Sequence, residues 1–315
     1  MGRAAILTRR EYFHDPRASV TVRRELRQPP MGQHRHEFFE IAVILSGTGI
    51  HATGGFRHRL EAGDVLFLDR RRAHGYEETS SLHLLNIMIR DDALARIGRE
   101  LAGRPGFHAL FSVEASPRKD GKKGYDRRLR LAPAELEQIG EWAARIEEEI
   151  AASASSGKPK APRHRGPRDG RLLQEAYLTL IVDVLSRKAG RLALPKAAKA
   201  PRASRPAAGM GRVLGWIETG LDRPLGVADL AARAGMSVRT FHRAFRAATG
   251  RTPWDYIVAA RLERAAERLA HGPVHETVTE IALACGFDDS NYFSRSFRRF
   301  AGATPTAYRA ARRRG

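Results

Sequence analysis

Apolar residues follow two different patterns along this chain, and the change between them divides it. Residues 20–90 hold short blocks that alternate or run apolar over strand-sized lengths, such as FFEIAVILSG and LHLLNIMI, with glycines between them. Several short strands at close spacing predict a β-barrel or sandwich. Residues 133–152 and 170–188 instead repeat apolar positions at helical spacing, which predicts two amphipathic helices. The expected buried face of the second helix comprises Leu173, Tyr177, Leu180, Ile181 and Val184.

Two stretches without apolar periodicity, 153–169 and 189–208, are rich in Ala, Pro, Lys and Arg and are typical of linkers. They set the expected organisation of the chain. We predict a β-domain over 1–115, a helical cap or dimerisation segment with basic loops over 116–188, a flexible linker over 189–208, and an all-α domain over 209–315. The predicted fold class is therefore α+β.

The C-terminal part contains one small unit twice. Residues 235–256 read GMSVRTFHRAFRAATGRTPWDY and residues 286–308 read GFDDSNYFSRSFRRFAGATPTAY, and equivalent positions lie 52 apart after one extra residue in the second turn. In each copy a glycine ends a short apolar helix, and Ser237 or Asp289 is placed to cap the next helix. The pattern predicts two helix-turn-helix units that are joined by a long helix over 253–270.

The second helix of each unit has an apolar face and a face of hydrogen-bond donors. The apolar face is expected to be buried, and it comprises Val238, Phe241 and Phe245 in one copy and Phe293, Phe297 and Phe300 in the other. The opposite face carries Arg239, Arg243 and Arg246, and at the same spacing Asn291, Arg295 and Arg298. Arginine reads guanine and asparagine reads adenine through paired hydrogen bonds. A solvated charged surface is the alternative, but two such stripes in register favour DNA readout.

Charge and cysteine usage indicate the kind of partner and the cellular compartment of the protein. The 315 residues include 55 Lys and Arg against 35 Asp and Glu, a net charge of +20 that suits nucleic acid or a membrane surface. The one cysteine, Cys285, forms no intramolecular disulfide and indicates a reducing compartment. The N-terminus meets charges before any apolar run, and the stretch AYLTLIVDVL is too short to span a bilayer. We therefore expect a soluble cytoplasmic protein without a membrane partner.

The C-terminal part of the sequence resembles the AraC/XylS family of transcription regulators. The segment IALACGFDDSNYFSRSFRRFAGATPTAY at 281–308 follows the family's signature, and the resemblance extends over residues 209–310. It implies that each unit inserts one recognition helix into the major groove on one side of a duplex. The base-reading candidates that it implies are Arg239, His242, Arg243, Ser290, Asn291, Ser294 and Arg295, and the helical spacing adds Arg246 and Arg298. Double-stranded DNA, RNA polymerase and a second copy of the chain are the partners we expect.

The N-terminal part is similar to the family's cupin-type sensor domain, particularly that of L-rhamnose-responsive regulators. The similar stretches are HRHEFFEIAVILSGTGIHATGG, LEAGDVLFLDRRRAHGYEE and LHLLNIMIR. His34, His36 and Glu40 follow the cupin spacing HxHxxxE, and His74 takes the place of the histidine of the second cupin motif. On one strand, positions 34, 36 and 40 share a face, so these side chains are expected to point into the barrel together.

Three interpretations of this polar set remain open. Imidazoles and a carboxylate can bind the hydroxyls of a small-molecule effector, such as a sugar or a related metabolite. They are also reasonable ligands for zinc, iron or manganese, which would make the chain a metal-dependent cupin enzyme fused to a DNA-binding domain. A polar barrel rim is the third. Because Asp69 and Arg71 depart from the second cupin motif, we expect an activator that is not an enzyme and binds its effector here without a metal or other cofactor.

Overall fold

The computed structural model describes residues 5–13, 15, 18–53, 56–70, 72–101, 103–112, 128–155, 170–193, 205–273 and 275–313. The chain forms two compact units, and each has its own architecture. The first unit comprises Met1–Phe111 and Ala115–Ala208, and the second comprises Ser112–Glu114 and Gly209–Gly315. All the strands of the described residues lie in the first unit, and the second is helical. The predicted α+β class, with a β-sheet domain followed by a helical one, is confirmed.

One sheet organises the first unit. Its strands are β1 (Ala5–Leu7), β2 (Val20–Glu25), β3 (Met31–His36), β4 (Phe39–Thr53), β5 (Phe56–Leu60), β6 (Asp64–Leu68), β7 (His74–Ile89) and β8 (Arg128–Arg130). Their order is β1-β3-β7-β4-β6-β8, while β2 pairs with β7 and β5 pairs with β4 off this path. The long antiparallel pair β4 and β7 is therefore the centre on which the other strands assemble, and the N-terminal strand β1 joins β3 in parallel.

The central pair is irregular where glycines interrupt its apolar run. The register between β4 and β7 shifts between Ile44 and Ile50. Gly47 has a φ of 78° in this stretch, and a Cβ atom on it would lie 1.9 Å from the carbonyl oxygen of Ser81. Only glycine fits such a backbone approach, so the sequence itself encodes this irregularity. It separates the apolar first half of β4 from the half that carries His51.

Helices cover the apolar side of the sheet. They are α2 (Asp91–Glu100), α3 (Pro105–Phe107) with a π-helical turn over His108–Ser112, α4 (Pro133–Ser155) and α5 (Arg171–Ala193), whereas α1 (Arg9–Tyr12) has no buried residue and lies outside this core. The predicted helix α4 buries Ile139, Ala143 and Ile146 as its periodicity indicates. One apolar core joins these side chains to strands β4, β6 and β7 and to helix α5.

The buried face of α5 differs from the predicted one. Leu173 and Leu180 are exposed, whereas Leu178, Val182 and Leu185 pack into the core together with the predicted Ile181. A close backbone approach fixes this orientation, because a Cβ atom on Gly106 of α3 would lie 1.8 Å from the carbonyl oxygen of Ser186. The helix is therefore turned so that Ser186 faces α3. The buried residues also follow helical spacing, so the sequence offered two overlapping apolar stripes, and packing against α3 selects this one.

Helices extend into the stretch expected as a linker. Helix covers both ends of 189–208, since α5 continues to Ala193 and α6 begins at Arg205, and residues 194–204 lie outside the described residues. The helix-forming residues that follow Leu185 explain the extension of α5. Within the expected helical cap 116–188, strand β8 pairs with β6 and so belongs to the sheet.

The second unit is built from helices α6 (Arg205–Thr219), α7 (Val227–Arg233), α8 (Val238–Thr249), α9 (Pro253–His271), α10 (Val278–Ala284), α11 (Ser290–Ala301) and α12 (Pro305–Arg313). The pairs α7–α8 and α10–α11 are the two predicted helix-turn-helix units, and α9 is the predicted connecting helix. The predicted caps are also present. Ser237 and Asp289 accept backbone N–H groups at the starts of α8 and α11. The predicted left-handed glycines Gly235 and Gly286 follow α7 and α10 with φ of 67° and 84°. Gly250 and Gly302, which were not predicted, end α8 and α11 with φ of 73°.

Aromatic side chains form the core of each helix-turn-helix. The fully buried phenylalanines are Phe241, Phe245, Phe293 and Phe297, as predicted. The prediction was wrong for Val238 and Phe300, which are 46% and 44% exposed. Val238 is the first residue of α8 and Phe300 is the next to last residue of α11. Their positions in terminal turns place them at the edge of the packing, although their helical phase is correct.

Candidate DNA-reading surface and effector site

Helices α8 and α11 each present a row of long polar side chains opposite their buried phenylalanines. We call these rows the reading stripes: Arg239, Arg243 and Arg246 on α8, and Asn291, Arg295 and Arg298 on α11. All six residues are exposed. His242 and Ser290 are exposed beside them, and Ser294 is half-buried. Both helices owe this arrangement to the same local rule, because apolar residues at every third or fourth position direct the remaining positions to solvent.

The arginines of the stripes have no internal task in the described residues. None of the five forms an ion pair within the part of the chain that the structure describes. Elsewhere many arginines do pair with carboxylates, as Arg268 does with Glu276 at 2.5 Å. Five exposed and unpaired guanidinium groups on two equivalent helices make a surface that suits an anionic partner with groups able to accept paired hydrogen bonds.

A second polar cluster lies inside the sheet of the first unit. Strand β3 supplies His34 and His36, β7 supplies His74, and β4 supplies Glu40 and His51. His34 and His36 are therefore on a different strand from Glu40, because the chain turns at Glu37 and Phe38, and the expected single strand is replaced by two. The structure nevertheless brings the four predicted residues together, and all of them are buried.

Ring nitrogens converge in this cluster. His36 Nε2 lies 2.9 Å from His74 Nε2 and 3.2 Å from Glu40 Oε2. One nitrogen each from His34, His36 and His74 lies within 4.8 Å of the other two, which is close enough for all three to hold one metal ion. Backbone carbonyls orient two of the rings. The Nδ1–H groups of His34 and His36 donate to the oxygens of Gly32 and Phe38 at 3.1 and 3.0 Å.

These hydrogen bonds determine where the lone pairs point. A carbonyl oxygen only accepts, so Nδ1 of His34 and His36 carries the hydrogen and Nε2 keeps its lone pair. The single lone pair of His36 Nε2 then faces both His74 Nε2 and the carboxyl of Glu40. This lone pair can accept a hydrogen bond from only one of the two groups. The contact with the other group becomes favourable only if His36 Nε2 is protonated or if a cation binds there.

Burial shifts the protonation equilibria of the cluster toward neutral groups. It lowers the pKa of His36 to about 4 and that of His51 to about 3, with neighbouring imidazoles adding to the effect. Burial also lowers the pKa of His74 well below its usual range. It raises the pKa of Glu40 to about 7. The cause throughout is the loss of hydration that a charged form suffers inside the protein. At neutral pH the imidazoles are therefore uncharged and free to act as acceptors.

Sequence reasoning missed His51. Its ring nitrogen Nε2 lies 3.4 Å from His74 Nδ1, and its other nitrogen has no partner among the described residues. His51 is directly opposite Tyr76 in the β4–β7 ladder, and the hydroxyl of Tyr76 is likewise buried without a described partner. Thr53 sits opposite His74 two positions further on. No local signal marks His51, because its place beside His74 depends on the register between β4 and β7.

The cluster borders an open cavity. Its volume is about 430 Å³, and it is lined by Ile6, Arg9, Arg35, His36, Glu37 and Arg70. His36 is thus the point at which the buried cluster meets this cavity. The ring of Phe38 stacks on His36 with centroids 5.0 Å apart, whereas Phe39 packs on Phe111 in the apolar core.

A pair of helix-turn-helix units with exposed donor stripes, following a β-domain with a buried polar cluster, defines the class of two-domain DNA-binding transcription regulators. Two family models match the chain. A helix-turn-helix domain matches residues 230–311, and an AraC-like ligand binding domain matches residues 18–156. The chain belongs to the AraC family.

Relatives of nearly full length are transcription activators by name. The HTH-type transcriptional activator RhaS of Klebsiella pneumoniae is 28% identical over 307 residues, covering 98% of each chain. RhaS of Escherichia fergusonii is 28% identical over 302 residues, covering 96% of each chain. Among the described helices, none combines the length and the hydropathy that crossing a membrane requires.

Solved structures of DNA-binding domains resemble about a third of the chain. The DNA-binding domain of AdpA, crystallised with a target DNA, is 38% identical and covers 34% of this chain and 94% of its own, with a TM-score of 0.32. An AraC-type regulator from Chromobacterium violaceum is 31% identical and covers 33% of this chain and 91% of its own, with a TM-score of 0.31.

Proposed function

We propose that this regulator activates transcription from specific DNA sites, that a small-molecule effector controls it, and that the effector is a sugar or a related metabolite. The DNA-reading residues in this proposal are Arg239, His242, Arg243, Arg246, Ser290, Asn291, Ser294, Arg295 and Arg298. The effector-binding residues are His34, His36, Glu40 and His74. The protein is proposed to act without catalysing a reaction, as its relatives are transcription regulators by name.

The observation that carries DNA readout is the pair of exposed stripes in register on α8 and α11. Each guanidinium matches the O6 and N7 acceptors of guanine, and the Asn291 amide matches the N6 and N7 groups of adenine. The buried phenylalanines anchor each helix, so the stripe residues project from a fixed backbone. A protein that only neutralised phosphate charge would favour a cation at the position equivalent to Arg239, where this chain has Asn291.

The effector part of the proposal rests on the buried cluster at the edge of the cavity. Uncharged imidazoles accept hydrogen bonds from hydroxyl groups, and a carboxyl such as that of Glu40 can bind a hydroxyl in either direction. An effector can control DNA binding only if it binds one arrangement of the protein more tightly than another. Its contact with β3 would favour one position of the N-terminal strand β1, which pairs with the segment 34–36.

Genome-wide footprinting tests both parts of the proposal. The sites bound by the full-length protein are mapped in cells grown with and without candidate sugars, and the same is done for the His36→Ala variant. We expect a defined set of sites, with occupancy or promoter output that changes with one sugar in the wild type and not in the variant. Binding spread evenly over the genome would refute sequence-specific regulation. Defined sites without any response to the sugars would refute the effector assignment alone.

A divalent transition metal is a second candidate for the occupant of the cluster. The observation that favours it is the single lone pair of His36 Nε2, which faces both His74 and Glu40. Imidazole and carboxylate groups suit zinc, iron or manganese, and the carbonyl partners of Nδ1 would orient His34 and His36 for such a role. A bound metal would add a positive charge to which effector hydroxyls are attracted. Elemental analysis of protein purified without chelator decides between the candidates, with His34→Ala as the control.

The organisation of the chain is also a proposal. We assign effector sensing to the β-domain, dimerisation to helices α4 and α5, and DNA binding to residues 209–315, with the stretch 194–204 as the connection between them. The exposed Leu172, Leu173 and Leu180 support a contact between two copies of α5. Analytical ultracentrifugation of the wild type and of the Leu173→Glu variant tests the dimer. RNA polymerase as a partner is tested by transcription in vitro on a mapped promoter.

A further inference from the structure

A buried arginine joins three segments of the helical unit. Arg261 lies in the middle of the connecting helix α9 and is 7% exposed. Its Nε–H donates to the carbonyl oxygen of Leu221 at 2.9 Å, and its Nη2–H donates to that of Arg223 at 2.7 Å. Both carbonyls belong to the segment between α6 and α7, which leads into the first helix-turn-helix. The guanidinium therefore attaches the start of the first helix-turn-helix to the connecting helix.

The turn of the second helix-turn-helix meets this arginine directly. Gly286 lies between α10 and α11 with a φ of 84°. A Cβ atom on it would lie 2.1 Å from the carbonyl oxygen of Leu221 and 2.8 Å from the guanidinium carbon of Arg261. The second helix-turn-helix thus touches both the arginine and the segment that the arginine holds. We call these three residues, Leu221, Arg261 and Gly286, the joint.

Comparison with the first helix-turn-helix shows that the turn between its two helices does not require such a contact. Gly235 occupies the equivalent turn of the first helix-turn-helix and has a φ of 67°. A Cβ atom on Gly235 would have no atom within 4 Å among its described surroundings. Both glycines satisfy the same left-handed turn, but only Gly286 is also needed for close packing. The extra contact is specific to the interface between the two helix-turn-helix motifs.

We propose that the joint is a positioning device that fixes the distance and orientation between α8 and α11, and that it thereby sets the spacing of base pairs that the protein accepts. This inference rests on the proposed readout of DNA by both stripes. Two linked reading modules gain most when their separation matches that of their sites, and a rigid connection sharpens this gain. A loosened joint would leave each helix able to read its own site while reducing the preference for one spacing.

Matched glycine variants test the joint. A duplex is selected from random-sequence DNA by the full-length wild-type protein, and derivatives carry one inserted base pair between the two recognised segments or a scrambled segment. Dissociation constants are measured for the wild type, Gly286→Ala and Gly235→Ala. Both substitutions place alanine at a positive φ, so their backbone strain is alike. Only the Gly286→Ala substitution forces the joint apart.

We expect the wild type and the Gly235→Ala variant to prefer the selected spacing by about tenfold or more, and the Gly286→Ala variant to lose most of this preference. Binding to a duplex with one scrambled segment should change by less than about threefold between the two glycine variants. An unchanged spacing preference in folded Gly286→Ala protein overturns the proposal. An equal loss in both variants also overturns it. If the wild type selects no duplex at all, the proposed function fails instead.

A measurement without DNA covers the case in which the Gly286→Ala variant does not fold. The Arg261→Lys variant retains a buried cation but loses one of the two donor contacts. Spin labels are attached to cysteines introduced by Ala247→Cys and Arg299→Cys, two exposed and equivalent positions on α8 and α11. Cys285 is buried, and burial raises the pKa of its thiol, so labelling favours the introduced sites. We expect a broader distance distribution in the Arg261→Lys variant. An unaltered width would contradict a positioning role.

Discussion

Replacing Arg295 separates base reading from simple attraction to DNA. Arg295 and Arg299 are both exposed on α11, and neither forms an ion pair within the described residues. Arg295 belongs to a reading stripe, whereas Arg299 lies beside it. The Arg295→Ala and Arg299→Ala variants lose the same charge from the same helix. A difference between them on a specific operator therefore reports contacts to bases rather than counterion release.

The magnitude follows from the geometry of the contact. A bidentate arginine–guanine pair contributes about 1–3 kcal/mol of discrimination, which corresponds to about fivefold to about 150-fold in affinity. No internal ion pair is lost with Arg295, so we expect thermal stability to be unchanged. Arg295→Ala should therefore weaken operator binding by that factor while changing binding to random DNA as little as Arg299→Ala does.

Fluorescence anisotropy with the selected operator and with a scrambled duplex, at several salt concentrations, measures these quantities. The salt dependence of the two variants should be equal, because each has lost one cation. Equal weakening on both duplexes would mean that Arg295 contacts only phosphate. The same experiment on Arg243→Ala tests whether the first unit reads bases in the same way.

Three further predictions concern stability and its pH dependence. Phe293→Ala should lower the free energy of unfolding of the helical unit by about 3–5 kcal/mol, whereas Phe300→Ala, at an exposed position, should cost much less; urea denaturation measures both. Asp289→Ala should cost about 1 kcal/mol through loss of the α11 cap, visible in the same assay. Burial raises the pKa of Glu40 to about 7 from 4.5, so the buried carboxylate destabilises the folded protein increasingly as the pH rises from 4.5 to 7 and not at all at low pH. The Glu40→Gln variant should therefore be more stable than the wild type by about 3 kcal/mol at pH 8 with chelator present. A stability difference that does not depend on pH would contradict this cause.

Local chemistry explains why the helical unit was predictable. Helix periodicity, N-caps and C-terminal glycines act over a few residues, so Ser237, Asp289, Gly235 and Gly286 could be assigned from the sequence and are confirmed. The buried phenylalanines follow from the same spacing. Phe300 shows the limit of this reasoning, because helical phase does not tell where a packing partner ends.

The β-domain depended on information that is not local. The sequence indicated strands and the polar set, but the partner of each strand comes from sheet topology. His51 joins the cluster because β4 lies opposite β7 in one particular register, which sequence spacing does not determine. The face of α5 was predicted wrongly for a similar reason, since the approach of Gly106 to Ser186 sets it from a distance.

The division of labour within α8 and α11 has an evolutionary consequence. Phenylalanines, caps and terminal glycines maintain the fold from one side of each helix, while the side chains that face solvent contribute little to it. Mutations on the outer side can therefore accumulate at small thermodynamic cost. On the proposed assignment of the reading stripes, a duplicated gene can acquire a new promoter target by a few substitutions in either helix-turn-helix, and each intermediate remains a folded protein on which selection can act.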